Sequence, residues 1–339
     1  MRPLVVVDAR DAGAPELRGW GRYAGCLVRA LAAGAAEGFE LDAVTSGGAG
    51  PEVVFEQLRL PLLLARRRAA LVHATNCFLP LVRTCPGVVT INDLAFETWP
   101  SDFATRTRVK YRAIARLAAR SAERVICPSA FTREDVCSRY GVAPGKVRVI
   151  PDAPALALGH QPAPAGPYVL AVGDLRAKKN IGALVAAFAS LCRSDGFEHR
   201  LVLAGVDSGE GPRLLELAAG APVELTGYVD DAHLDALMRG AELLVHPSLY
   251  EGFGLVVLEA MARATPVLAA CATALPETGG DAAAYFDPAD PGDLRRVLGS
   301  LLADAGARAE LARRGLSRVA EFSWERTARE TGAVYRELL

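Results

Sequence analysis

A surplus of charge of either sign is missing from this 339-residue chain, in which 38 Lys and Arg stand against 39 Asp and Glu. No global field draws it to nucleic acid or to an anionic membrane, so any such affinity has to be local. Cysteine pairs are missing as well. The seven cysteines, Cys26, Cys77, Cys85, Cys127, Cys137, Cys192 and Cys271, are odd in number and scattered, with no CxxC. That excludes a disulfide scaffold and predicts buried free thiols in a reducing cytoplasm. No apolar run approaches the ~18 residues of a bilayer span. The opening Met1-Arg-Pro-Leu-Val-Val-Val-Asp8 lacks the long apolar region of a signal peptide and enters a strand almost at once. A cytoplasmic protein is expected. No D-x-D triplet occurs, and lysine is scarce: Lys110, Lys146, Lys178 and Lys179 are the only four in an arginine-rich chain.

What is present is the balance of a folded enzyme, with 51% hydrophobic and 23% charged residues. The length exceeds what one hydrophobic core usually fills, so two domains of roughly 150 residues are expected. Short Val/Leu/Ile runs alternate with Ala/Leu/Arg segments of helical period, the pattern of βαβ units around parallel sheets. Strands are predicted at 4–8, 41–44, 71–74, 87–91, 124–127 and 147–150, then at 168–172, 199–204, 223–226, 243–246 and 266–269. The stretch 151–167 is rich in proline and small residues, as an exposed linker is. The expected division is an N-terminal Rossmann-like domain at 1–153, a linker at 154–167, a second such domain at 168–321 and a terminal helix at 322–339. Ser323 is the candidate N-cap of that helix, with Trp324, Ala328, Thr331 and Tyr335 on its docking face.

The richest segment is His246-Pro-Ser-Leu-Tyr-Glu-Gly-Phe-Gly-Leu-Val-Val-Leu-Glu-Ala-Met-Ala262, which follows a buried strand and opens a helix. Gly252 and Gly254 permit close backbone approach. The amides of Gly254, Leu255 and Val256, open at the helix start, suit a phosphate. Glu251 in the loop and Glu259 on the helix can contact different parts of one extended ligand. An acidic turn before an ordinary core helix has the same local pattern. The adjacent Lys178 and Lys179 follow a strand, where an ammonium suits a departing diphosphate as well as a solvated turn. His73 ends one strand, where an acceptor contact competes with a structural role, and His246 ends another, beside the candidate donor loop. The segment Arg106 to Arg124 repeats Arg108, Arg112, Arg116 and Arg120, with Val109, Ala113, Ile114 and Leu117 on another face. This amphipathic basic helix suits either a solvated face or a weak peripheral contact with anionic lipid or a phosphorylated acceptor.

Glu251 and Glu259, with seven residues between them and flanked as above, resemble the E-x7-E signature of glycosyltransferase family 4. Further segments resemble the family along nearly the whole chain: Gly19-Trp-Gly-Arg-Tyr23, Ile91-Asn-Asp-Leu-Ala-Phe96, Gly173-Asp-Leu-Arg-Ala-Lys-Lys-Asn180, Thr226-Gly-Tyr-Val229 and Phe322-Ser-Trp-Glu-Arg326. The resemblance implies the GT-B fold: two doubly wound Rossmann-like α/β domains facing across a cleft, with the closing helix packed back on the N-terminal domain. It implies an acceptor site in the first domain and a nucleotide-sugar site in the second. Glu259 matches the carboxylate on the donor ribose, Glu251 the one on the transferred sugar, and Lys179 the basic residue on the diphosphate. Phe253, Gly254, Leu255 and Val256 match the backbone that closes over phosphate and sugar. Gly227, Tyr228 and Val229 match the border of the base, and Gly19 and Gly21, at the start of the first helix, match a flexible loop facing the diphosphate across the interdomain cleft.

Two positions depart from the family pattern. Asn92 stands where many members carry histidine, so a positioning role survives and proton transfer near pH 7 does not. Asp174 stands where many carry a phosphate-binding arginine. The function so implied is retaining transfer of a sugar from a UDP- or GDP-sugar to a hydroxyl of a saccharide or natural-product acceptor. Catalysis would rest on Glu251, Lys179 and Asn92, without a metal or other cofactor. Sugar phosphorylase, nucleotide-sugar epimerase and non-catalytic carbohydrate binding are the alternatives. The arginine bias and high alanine content suggest a GC-rich genome, and in overall appearance the sequence resembles actinobacterial antibiotic-pathway members of the avilamycin type.

Overall fold

The structure, a computed structural model, describes residues 2–14, 19–35, 38–48 and 50–339. It divides into two compact units, one of Met1–Ala155 with Phe322–Leu339 and one of Leu156–Glu321.

The first unit holds six parallel strands: β1 (Leu4–Asp8), β2 (Glu40–Val44), β3 (Leu71–Ala74), β4 (Gly87–Thr90), β5 (Arg124–Cys127) and β6 (Val147–Val149), in the order β2-β1-β3-β4-β5-β6. Val5 pairs with both Leu41 and Leu71, which fixes β1 between β2 and β3. Helices cover both faces, so the inner strands read as unbroken apolar runs. Val6, Val72 and Val89 enter one core with Leu60, Leu64 and Ala118. Val5, Val7 and Leu71 enter the other with Tyr23, Leu27, Ala328 and Tyr335. The terminal helix Trp324–Arg336 is capped by Ser323, whose side chain accepts from Arg326 N at 3.2 Å. It packs on this unit with Ala328, Thr331 and Tyr335 fully buried.

The second unit repeats the plan with β7 (Tyr168–Val172), β8 (Arg200–Ala204), β9 (Val223–Gly227), β10 (Leu243–His246), β11 (Val267–Ala270) and β12 (Ala284–Phe286), in the order β12-β11-β10-β7-β8-β9. In each sheet the order reverses beside the first strand, between β1 and β3 and between β7 and β10. Such switch points open a crevice at the carboxyl ends of the strands. The strand β12, paired to β11 through Ala284, Tyr285 and Phe286, is absent from the sequence expectation. Three residues at a sheet edge give neither a run nor an alternation to detect.

Three other expectations need correction. The basic helix spans Thr105–Ser121, while Arg124 starts β5. Its core face is Ala115, Ala118 and Ala119, and Val109, Ala113 and Leu117 are exposed on the same side as Arg112 and Arg116. The small alanines let the helix approach its neighbours closely, which the larger side chains would prevent. Of the free cysteines, Cys26, Cys77 and Cys127 are buried, but Cys271 is exposed.

Candidate active site

The second unit gathers its polar groups at the β7/β10 switch point. After β7 the chain turns at Gly173, with φ of +139°, and Gly205 lies so close that a Cβ on it would meet Gly173 O at 2.0 Å. The turn Ala177–Lys179 then ends at Asn180, in the left-handed region at φ 53°, before the helix Ile181–Asp195. Asparagine tolerates that conformation better than most residues. The carbonyl of Lys178 accepts from Leu249 N at 2.8 Å and from Ser248 Oγ at 3.3 Å. These bonds stitch the lysine turn to the loop that follows β10 and set Lys179 against Glu251.

Lys179 Nζ donates to Glu251 Oε1 at 2.5 Å, and His246 Nε2 lies 3.1 Å from the same oxygen. Burial alone would push the Glu251 carboxyl up. The charges of Lys179 and Lys178 and the bond from His246 outweigh burial and hold it well below the usual carboxylate range. His246 is 2% exposed, and burial drives its pKa down against the opposing pull of Glu251. Because the ionised carboxylate only accepts, the neutral imidazole carries its proton on Nε2 and donates it to Glu251. Glu251 N donates to Thr273 Oγ1 at 3.0 Å, with Thr273 itself at φ 52°. Three strand ends and a strained loop residue thus fix one carboxylate.

The next turn starts a helix, Leu255–Met261, whose N-cap Gly254 stands at φ 102° and offers no side chain to the first amides. A Cβ at Gly254 would meet Leu275 Cδ2 at 2.8 Å, so conformation and space both require glycine. Leu255 and Val256 are half-buried at that start. Phe253 is buried, its carbonyl accepting from Thr278 Oγ1 at 2.5 Å. Glu259 follows on the helix and is 3% exposed. Tyr228, 44% exposed, and half-buried Val229 follow the edge strand β9, leaving the Tyr228 ring accessible. Asp174 lies 3.5 Å from Arg176 Nη2, an ion pair that keeps this carboxylate beside a cation.

Gly21 and Asn92 belong to the first unit. Gly19 and Gly21 lie in the first turn of the helix Gly19–Ala30, at the helix start expected for them, and Gly21 is buried there. Asn92 follows β4, half-buried. Its Nδ2 donates to Thr75 O at 3.4 Å, and its Oδ1 has no hydrogen-bond partner among the described residues. His73 is fully buried, with Nδ1 2.6 Å from Tyr335 OH and Nε2 2.8 Å from Thr90 Oγ1. Both ring nitrogens are spent, Nδ1 on the terminal helix and Nε2 on the neighbouring strand β4, which removes the acceptor contact considered for it.

Sequence reasoning missed Thr273, Arg176 and the part played by His246. Nothing local marks Thr273 as a left-handed residue, and the His246 bond to Glu251 depends on the turn between them.

Two family models match the chain: Glycosyl transferases group 1 over residues 166–304 and Glycosyltransferase Family 4 over residues 46–153. An O-antigen chain mannosyltransferase B of Escherichia coli is 30% identical over 284 residues, covering 78% of this chain and 74% of that protein. An MMP alpha-(1->4)-mannosyltransferase of Mycolicibacterium hassiacum is 30% identical over 313 residues, covering 85% and 76%. The structure of sucrose-phosphate synthase from Thermosynechococcus elongatus superposes with a TM-score of 0.79 at 24% identity, covering 100% of this chain and 99% of that one. That likeness and the two parallel sheets give the architecture as GT-B. The matched models and relatives establish that the chain belongs to glycosyltransferase family 4.

Proposed function

We propose that the protein transfers a hexosyl group, with retention at the anomeric carbon, from a UDP- or GDP-sugar to a hydroxyl of a saccharide or glycosylated natural product. The observation that carries this reading is Lys179 and His246 converging on Glu251 beside the Gly254 helix start, at the β7/β10 switch point. The second unit takes the donor. Its diphosphate sits against Lys179 and the amides of Gly254, Leu255 and Val256, the ribose against Glu259, and the base against Tyr228 and Val229. The first unit takes the acceptor, with Asn92 Oδ1 accepting from a hydroxyl. The names of the two mannosyltransferase relatives favour a mannosyl donor.

As diphosphate oxygens take the Lys179 ammonium, Glu251 Oε1 becomes available to a sugar hydroxyl while His246 keeps the carboxylate in place. The anomeric C–O bond breaks with its electron pair passing to the nucleotide diphosphate. The acceptor oxygen bonds to the same face of the carbon and releases its proton to the departing phosphate oxygen. Lys179, Lys178 and the helix start compensate the developing charge, so activity should survive a chelator. The test is a thermal-shift comparison of UDP, GDP and dTDP, followed by NMR of the product made from the matching α-linked donor. An α-linked product supports the reading, and a β-linked product overturns retention.

A further inference from the structure

The first sheet has its own switch point, between β1 and β3, and polar groups from three elements gather there. Asp8 ends β1 and is held by Arg10, Nε to Oδ1 at 2.8 Å and Nη2 to Oδ2 at 2.9 Å. Asp11 follows in the same connection and accepts from Nδ2 of Asn76, just after β3, at 2.8 Å. Glu56 comes from a helical segment that is wound unusually. Pro61 cannot donate to the carbonyl four residues back, and the turn before it, Phe55–Arg59, is a π-helix, a form that recurs at functional sites. Glu56 in that turn is 1% exposed. Its Oε1 takes only a long bond from Arg10, at 3.4 Å, and its Oε2 has no hydrogen-bond partner among the described residues, with Lys110 Nζ standing 3.7 Å away. Gln57, next in the turn, donates to Leu79 O at 3.4 Å and accepts from Leu81 N at 3.0 Å, which locks the loop that carries Asn76 and Phe78.

Beside these carboxylates stand three aromatic rings. Trp20 and Tyr111 are 6.0 Å apart and 26° from parallel, and Phe78 meets Tyr111 edge-on at 4.7 Å. Phe78 is buried, whereas Trp20, Tyr111 and Asp11 are half-buried, so ring surface and carboxylate both stay accessible. Burial and nearby acids, Glu52, Asp11 and Glu56 among them, push the Tyr111 hydroxyl up, and it remains a donor. Lys110 lies over the Phe78 ring at 4.7 Å and is engaged by Glu52 at 3.0 Å. Four carboxylates, of Asp8, Asp11, Glu52 and Glu56, thus meet two cations, both already paired.

Aromatic faces edged by carboxylates fit a sugar ring, whose C–H face leaves water against the rings while its hydroxyls donate to acceptors that burial has stripped of water. A wholly apolar ligand would strand Asp11 and Glu56, and an anionic one would meet surplus like charge. Resting on the transferase reading, we propose that this wall is the acceptor subsite and takes an uncharged saccharide ring, stacked on Trp20 and Tyr111 with its hydroxyls donating to Asp11 and to Glu56 Oε2. The same wall rejects phosphorylated rings.

The test is saturation-transfer NMR of the full chain, with UDP present to occupy the second unit, against mannose, glucose and galactose and against the 6-phosphate of each. Binding of at least one uncharged sugar is expected, with its phosphate weaker by about fivefold or more. Trp20→Leu and Asp11→Asn should each weaken the uncharged sugar by about fivefold or more, through lost ring surface in one and a lost charged acceptor in the other. The thermal shift given by UDP or GDP should stay as in the wild type, since neither substitution touches the second unit. No binding of any of the three sugars, phosphates bound as tightly as their parent sugars, or indifference to both substitutions would overturn the proposal. A wild type that shifts with neither UDP nor GDP would instead count against the transferase reading, while the sugar titrations still decide for or against the ring site. If Trp20→Leu fails to fold, the nearly isosteric Asp11→Asn and the phosphate comparison decide the matter.

Discussion

Lys179 Nζ and Glu251 Oε1 meet at 2.5 Å across two loops that follow different strands. The pair is both a structural contact and a charge reserve, because the ammonium that neutralises Glu251 is the one proposed to receive the diphosphate. Replacing Lys179 by Ala should lower kcat about 10²-fold at saturating donor, since one charge-assisted contact in a water-poor site is worth a few kcal/mol in the transition state. It also removes the largest charge opposing burial at Glu251, so the acid limb of the pH–rate profile should move to higher pH. Steady-state kinetics from pH 5 to 8 check both effects. A turnover near that of the wild type would exclude Lys179 from leaving-group stabilisation.

Asp235 makes a second prediction, one of stability alone. Its Oδ1 accepts from Arg263 Nε and its Oδ2 from Arg239 Nε, both at 2.8 Å. Arg263 Nη2 also donates to Leu156 O at 3.0 Å and Ala157 O at 2.9 Å, holding the start of the second unit against the Glu259 helix. Asp235→Ala leaves the fully buried Arg263 guanidinium without its counter-charge, a loss of about 3–5 kcal/mol. Urea unfolding measures it. Adding Arg263→Met should recover a good part, and no recovery would place the loss elsewhere than in the stranded charge.

How much of this was legible depended on whether a residue's role is local. The run Leu4 to Asp8 announces a buried strand because helices on both faces demand apolar side chains at every position. Glu251 and Glu259 were legible because a loop carboxylate, two glycines and a helix start lie in one continuous segment. Their partners were not. The contact of Lys179 with Glu251 is made by Lys178 O accepting from Leu249 N, a pairing of loops that only the sheet order brings together. Val109 and Leu117 misled for the opposite reason: hydrophobic periodicity fits the core, but Ala115, Ala118 and Ala119 offer a second, smaller face on which the helix packs more closely.

Asp152 links burial to pH. Thr327 Oγ1 donates to Pro151 O at 2.7 Å and Trp324 Nε1 to Pro154 O at 2.9 Å, so the terminal helix clamps the backbone on either side of it. Its side chain is buried with Oδ1 lacking a hydrogen-bond partner among the described residues, and burial pushes its pKa up to about 7. The folded protein therefore binds one more proton than the unfolded chain between pH ~4 and ~7, and stability falls as pH rises through that window. The loss is at most about 4 kcal/mol, three units at about 1.4 kcal/mol each. His73 works in reverse: burial lowers its pKa to about 3, so its contribution is present above pH ~6.5 and lost on acidification. The stability gained by Asp152→Asn over the wild type should thus grow from pH 4 to pH 7 and level off above. Urea midpoints at pH 4.5, 6 and 8 test this, and a pH-independent difference would show that Asp152 is ionised in the folded protein.

The nucleotide preference turns on Glu259, which is 3% exposed on the second turn of a helix that starts at the proposed phosphate site. In the proposed pose its carboxylate accepts from both hydroxyls of a ribose but from only one of a deoxyribose. A charged hydrogen bond of this kind contributes about 1.5–3 kcal/mol, so a ribonucleoside diphosphate should bind roughly ten- to a hundredfold more tightly than its deoxy counterpart. Water in place of the missing hydroxyl draws the ratio toward the lower figure. Calorimetry with UDP against dUDP and GDP against dGDP measures it within matched bases, which separates ribose reading from any preference of Tyr228 for the base. Glu259→Gln should reduce the ratio and Glu259→Ala should abolish it, with ribonucleotide affinity falling while deoxynucleotide affinity changes less. Equal affinities within both pairs, or a ratio that survives Glu259→Ala, would remove Glu259 from the ribose and admit deoxysugar donors carried on dTDP.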